Sequence, residues 1–129
     1  MGYVYYNPNP DGKSVGDCVV RALSAIFNDS WDNVYADITM QGHFLYDMPS
    51  ANNVWGTYLK VNGFVHHEIP DTCPSCYTIR RFAYDHPYGV YLVATGSHVV
   101  AVIDGDYYDT SDSGNEVPTS YWKRERKEQ

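Results

Sequence analysis

Three residues of this 129-residue chain have the types and the order to do covalent chemistry together: Cys18, His98 and Asp109. Cys18 stands in Gly16-Asp17-Cys18-Val19-Val20-Arg21-Ala22-Leu23, where a polar loop turns into an apolar helix. His98 stands in Gly96-Ser97-His98-Val99-Val100-Ala101-Val102-Ile103-Asp104-Gly105, at the start of an apolar strand. Tyr107-Tyr108-Asp109 follows at once. A cysteine that opens a helix, then a histidine and an acid on adjacent strands, supplies a thiol nucleophile, its base and the group that orients the base.

The local setting of each residue decides how well it suits its role. A free thiol, with a pKa near ~8.5, is mostly protonated at neutral pH, and only the thiolate attacks. Three features lower that value here. Asp17 is expected to be the N-cap, which places Cys18 at the first helical position, where free amides and the helix dipole favour an anion. Arg21 lies one turn on and offers positive charge. His98 completes a thiolate–imidazolium pair if it approaches. The competing reading is a small buried hydrophobe. Buried cysteines, however, usually lie inside an apolar run rather than at its polar edge.

Alternation puts His98 with Val100 and Val102, and Val99 with Ala101 and Ile103. Both faces are apolar, so the strand reads as central and covered. A histidine there is costly unless it is hydrogen-bonded or functional. His43, His66, His67 and His86 have no comparable setting. Asp109 is preferred as the orienter because the turn at Asp104-Gly105 brings it back near the start of the preceding strand. Asp104 and Asp106 read as turn acids, and Asp112 lies in a polar loop beyond the strand. An asparagine in place of Asp109 is expected to retain part of the orienting effect.

These residues need a scaffold. Residues 7–17 form a loop rich in Pro, Asn, Asp and Gly. Residues 18–27 form a buried helix, with Val19, Val20, Leu23, Ile26 and Phe27 at helical spacing. Ser30 caps a second helix through Trp31, Val34, Tyr35 and Ile38, and residues 41–50 read as a loop. Ser50 or Asn52 starts a third helix, ended by Asn62-Gly63. A strand is predicted over 64–69, a short helix over 77–84, and strands over 89–94, 97–103 and 106–110. Thr95-Gly96 and Asp104-Gly105 supply the turns, the second being a strong hairpin signal. Helices first and an antiparallel sheet last is an α+β arrangement.

Composition excludes several function classes. Hydrophobic content is 43%, ordinary for a globular chain. The length suits one domain, taken as residues 1–122, followed by a charged tail over 123–129. Formal charge is −7, and without that tail 5 basic side chains face 14 acidic ones, a balance of −9. Such a body has no basic stripe, so no nucleic-acid partner is expected. The mixed signs of Lys123, Arg124, Glu125, Arg126, Lys127 and Glu128 predict a solvated helix end or frayed terminus. No signal-like or membrane-length apolar stretch is present, which points to the cytoplasm and away from membranes. The 13 tyrosines are spread along the chain, and some are expected to line a groove or a partner surface.

Cys73-Pro74-Ser75-Cys76 holds the other two thiols. In a reducing compartment all three cysteines are expected to be free, catalytic or metal-bound rather than bridged. A lone CxxC is half a zinc site. His66 and His67 could complete a set only at an unfamiliar spacing, so no metal and no cofactor are expected, and a turn with two incidental thiols is the preferred reading.

The Gly-Asp-Cys helix start, the Gly-Ser-His-Val-Val-Ala-Val-Ile-Asp-Gly segment and the Tyr-Tyr-Asp-Thr that follows resemble the papain-like cysteine peptidases. The nearest branch is the compact bacterial and phage-encoded one, related to bacteriocin-leader-processing peptidases. The resemblance covers roughly residues 14–122. It implies nucleophile Cys18, base His98 and orienter Asp109, acting on a peptide or protein substrate. The family places a Gln oxyanion donor six residues before the nucleophile, where this chain has Gly12. Asn7 or Asn9 from the same loop is expected to replace it, beside the Cys18 backbone amide. Deamidation and acyl transfer use the same triad. A non-catalytic interaction module on the same fold is the alternative of a different class.

Overall fold

The computed structural model describes residues 2–125. Among them the chain runs β1 (Gly2–Tyr5), α1 (Cys18–Phe27), α2 (Trp31–Leu45), α3 (Asn52–Val61), β2 (Phe64–Glu68), α4 (Ile79–Asp85), β3 (Val90–Ala94), β4 (Val99–Ile103), β5 (Asp106–Asp109) and β6 (Ser120–Arg124). The strands form one sheet in the order β1-β5-β4-β3-β6-β2. The fold is α+β, but the sheet is mixed rather than wholly antiparallel: β1 runs parallel to β5.

Alternation along the central strands builds two cores. Leu92, Ala94, Val99 and Ala101 face α1–α3 and pack with Val19, Leu23, Ile26, Ile38 and Leu59. Tyr91, Val93, Val100 and Val102 face α4 and pack with Ile79, Phe82 and Ala83. β4 is thus covered on both sides, as its unbroken apolar run predicts. The β4–β5 hairpin turns on Asp104 and Gly105 with φ of 50° and 85°, the two left-handed residues that a twisted two-residue turn requires.

Several element ends differ from the sequence expectation. α2 runs to Leu45 instead of giving way to a loop at residue 41. Tyr46 closes it in the left-handed region at φ 54°, and the Asp47 amide bonds back to the Gly42 carbonyl at 2.9 Å. Nothing in a tyrosine advertises that conformation, which glycine or asparagine usually supplies. Gly42 makes the closure possible, because a Cβ there would lie 2.6 Å from the Asp47 carbonyl oxygen. Gly42→Ala is therefore expected to lower stability by about 1–3 kcal/mol, read as a fall in the denaturant midpoint. An unchanged midpoint would show that the turn yields freely. α3 begins at Asn52 with Ala51 in the capping position and no side-chain cap.

Two strands have no counterpart in the sequence reading. β6 takes in Lys123 and Arg124, which the reading places in a helical or frayed tail. Trp122 pairs with both Leu92 and His66, so β6 bridges β3 and β2. Arg124 donates to the Ile26 carbonyl at 2.9 Å, at the C-terminal end of α1, and lies over the Phe64 ring. A cation suits both positions. Arg126, Lys127 and Glu128 of the expected tail lie outside the described residues. β1 places Tyr3 opposite Tyr107 on the outer edge of β5.

Cys73 and Cys76 are joined in a disulfide. The expectation of two incidental free thiols is thereby corrected, and Cys18 is the free cysteine. The two positions are three apart in a turn, with Cα atoms 4.1 Å apart, close enough for their sulfurs to meet. The bridge departs from what a reducing compartment leads one to expect. No helix among the described residues is long and apolar enough to cross a membrane.

Candidate active site

Cys18 is the first residue of α1, with Asp17 in the capping position. Asp17 does not cap, however: its side chain makes no hydrogen bond to the helix amides. It turns inward instead, accepting from Arg21 Nη1 and from Trp31 Nε1, the latter at 2.9 Å. A buried guanidinium one turn on is the stronger attraction for a buried carboxylate. The helix-start amides and dipole remain available to Cys18.

His98 lies one residue before β4, so the strand's alternation does not govern its side chain. It is not drawn to the α4 side with Val100 and Val102. It lines one cleft with Cys18 at the start of α1, on the opposite side, where the His98 ring and the Val99 backbone amide both favour the thiolate. The turn that aims it is tight: the Thr95 amide donates to the His98 carbonyl at 2.8 Å. His98 Nε2 lies 2.7 Å from Asp109 Oδ2, which leaves Nδ1 for the sulfur.

Asp109 is the last residue of β5 and is 2% exposed. Oδ2 also accepts from Ser113 Oγ at 2.8 Å. Oδ1 accepts from Arg21 Nη2 at 3.1 Å and from the Thr110 amide at 2.7 Å. β1 steadies its backbone, since the Tyr6 amide and the Tyr3 hydroxyl both donate to the Asp109 carbonyl, at 2.9 and 3.1 Å. Asp112 is turned elsewhere: it accepts from Tyr107 Oη at 2.6 Å and from the Gly114 amide at 2.9 Å, and pairs with Arg80. Asp104 accepts from the Gly89 amide at the far end of the hairpin.

The electrostatics follow from these contacts. Burial pushes the Cys18 thiol up, but the bonds from His98 and the Val99 amide, with the charges of His98 and Arg21, outweigh it. The net result lies below the ordinary value of 9.0. His98 is raised from 6.5 to about 10, chiefly by its hydrogen bond to Asp109 and then by that to Cys18. For Asp109 burial acts upward, and the bonds from His98 and Ser113 overcome it and hold the carboxyl below its usual range. The imidazolium is thus favoured by both anions, and the thiolate and the carboxylate are each favoured by the imidazolium between them.

The expected oxyanion donors are not here. Asn7 Nδ2 donates to the Lys13 carbonyl, and Asn7 Oδ1 accepts from the Asn9 amide. Asn9 Oδ1 accepts from the Asp11 and Lys13 amides. Both asparagines fold their own loop, as asparagines in turns commonly do, and neither lines the cleft beside Cys18. The backbone amide of Cys18 is the donor that the helix start provides.

A cleft of about 860 Å³ opens on Cys18 and His98. Trp31 and Tyr35, stacked 5.1 Å apart, line it together with Trp55, Trp122 and His66. Gly56 makes room for the Trp122 ring, which would lie 3.2 Å from a Cβ there. His66 is thus a cleft residue, its ring tilted against Trp122 with centroids 4.8 Å apart. His67 stacks on Tyr121 at 4.9 Å. With their sulfurs bonded to each other, Cys73 and Cys76 offer no thiolate to a metal. Among the described residues no group of three or more His, Cys, Asp or Glu side chains is placed to hold a metal ion.

Ser113, Thr110 and Trp31 serve this site without a sequence signal, because a serine four residues past an aspartate in a polar loop is ordinary. No family model, curated protein or solved structure matches the chain.

Proposed function

We propose that this protein is a cysteine hydrolase with a papain-like arrangement, cleaving a peptide or isopeptide bond through an acyl-enzyme. The observation that carries this reading is that Cys18 and His98 line one cleft while His98 Nε2 is held at 2.7 Å by buried Asp109. A structural cysteine needs neither partner.

The chemistry runs in two halves. The Cys18 thiolate attacks the scissile carbonyl carbon, forming a carbon–sulfur bond and a tetrahedral oxyanion that the Cys18 amide stabilises. When the oxyanion collapses, the carbon–nitrogen bond breaks and His98 gives its proton to the departing amine. Neutral His98 then takes a proton from water, whose oxygen attacks the thioester. Collapse of the second oxyanion releases the acid and restores the thiolate beside a protonated His98. Asp109 holds the ring so that one nitrogen faces the sulfur throughout. With ammonia as the leaving group the same steps deamidate, and with an amine in place of water they transfer the acyl group.

Iodoacetamide labelling across pH, read by mass spectrometry on reduced protein, tests the nucleophile. Cys18 is expected to label fastest of the three cysteines at pH 6, where an ordinary thiol is less than about 1% ionised. Faster labelling of Cys73 or Cys76 at that pH would remove Cys18 from the role.

A further inference from the structure

We propose that Arg21 is a positioning residue of this site, fixing the Asp109 carboxylate and, through it, His98 against the sulfur of Cys18. The proposal rests on the acyl-transfer reading above and assigns to Arg21 more than a general positive charge beside the thiol.

The geometry is that of a clamp. A carboxylate offers about four acceptor positions on two oxygens. Asp109 has all four in use: His98 and Ser113 on Oδ2, Arg21 and Thr110 on Oδ1. A carboxylate held at both oxygens cannot swing about its terminal bond, so Oδ2 keeps one direction toward the imidazole. The groups that face Asp109 are Arg21 from α1, His98 from the turn before β4, Tyr3 from β1, and Thr110 and Ser113 from the following loop. Of these only Arg21 is a cation that never gives up its proton.

Arg21 is itself held. Its guanidinium is a rigid planar fork, with Nη1 on Asp17 and Nη2 on Asp109. The side chains of Arg21, Asp17 and Asp109 are 7%, 6% and 2% exposed. Trp31 Nε1 fixes the second Asp17 oxygen. The result is a row of alternating sign: Asp17, Arg21, Asp109, His98, Cys18. The row closes on itself, because Arg21 and Cys18 stand one turn apart on α1. Arg21 therefore ties the helix that carries the nucleophile to the strand that carries the orienter. Apolar packing also joins helix and sheet, but Arg21 is the polar contact that fixes the direction of the Asp109 carboxylate relative to α1.

Arg21→Lys keeps the charge, but a single ammonium cannot reproduce the fork between two carboxylates. Two readouts need no substrate: the NMR titration of the His98 ring and the pH profile of Cys18 alkylation. A residue that merely stabilises the fold would lower the melting temperature and leave both midpoints in place. The expected result is a folded variant in which the His98 midpoint falls and Cys18 labelling at pH 6 slows about tenfold, the effect of roughly one pKa unit on the thiol. If Arg21→Lys does not fold, Asp17→Asn/Arg21→Met removes one carboxylate and the cation together, and the same two shifts are expected. A folded variant of either kind with the wild-type profile overturns the proposal. Loss of the fold in both assigns Arg21 to stability and overturns it as well. A wild-type Cys18 that titrates like an ordinary thiol would instead defeat the acyl-transfer reading, and the positioning role with it.

Discussion

Under the acyl-transfer reading proposed above, Cys18→Ala is expected to abolish turnover and to leave the fold in place. Removing a covalent nucleophile typically costs on the order of 10⁴- to 10⁶-fold in turnover, because no other group can form the acyl intermediate. The structural cost is small. Cys18 is only half-buried at the first position of α1, and the helix is held by Val19, Val20, Leu23 and Ile26, which remain. A change of about 1 kcal/mol in stability is the scale for such a substitution. Turnover on a fluorogenic peptide-amide library, covalent capture by a peptidyl electrophile and thermal unfolding together check it. An alanine variant that still turns over, or that still captures the electrophile, would sink the assignment.

Asp109→Asn is expected to be less damaging than loss of the nucleophile but still severe, with a loss on the order of 10²- to 10⁴-fold. From the sequence alone an asparagine reads as a tolerable substitute, since an amide can also orient an imidazole. The four donors converging on Asp109 change that expectation. An amide has one accepting oxygen and one donating nitrogen. Whichever way it faces, its NH₂ opposes either Arg21 and Thr110 or His98 and Ser113. Arg21 would keep Asp17 on Nη1 but lose the charged acceptor of Nη2.

The same variant carries a pH signature. His98 is raised from 6.5 to about 10, so its share of stability is complete below pH 6.5 and lost as pH rises through about 10. Asp109 is lowered, so its share is present above its ordinary value of 3.8 and lost as pH falls through the folded value. Removing the carboxylate should bring His98 back toward 6.5 and flatten the alkaline fall in stability between pH 6.5 and 10. Denaturant unfolding at a series of pH values measures it. A variant whose alkaline profile matches the wild type would show that Asp109 is not what holds the proton on His98.

The groups of the candidate site were legible in the sequence to different degrees. Cys18, His98 and Asp109 stand out because each is a reactive type at the edge of a strongly patterned segment. The helix start, the strand and the Asp104-Gly105 turn are all local signals, and local signals place residues along an element well. Asn7 and Asn9 misled for a physical reason: an asparagine amide satisfies its own loop before it reaches a substrate. Asp17 misled for another, because its carboxylate has both a helix end and a buried guanidinium within reach, and only burial decides between them.

What the sequence determined by itself is therefore the α+β class, the helix that Cys18 opens and the hairpin that returns Asp109 toward His98. Period and turn chemistry act over a few residues and need no partner. Only the tertiary structure decided the rest. β1 and β6 exist as strands because β5, β3 and β2 offer them paired edges. Trp122 becomes a cleft wall because Gly56 leaves it room. Arg21 reaches Asp109 across 88 residues of sequence. His98 leaves the face that alternation assigns it because it stands one residue outside the strand, where the turn and not the pleat sets its direction. Apart from that local turn, each of these depends on contacts between distant segments, and their free energy has no trace in the short-range pattern of either partner.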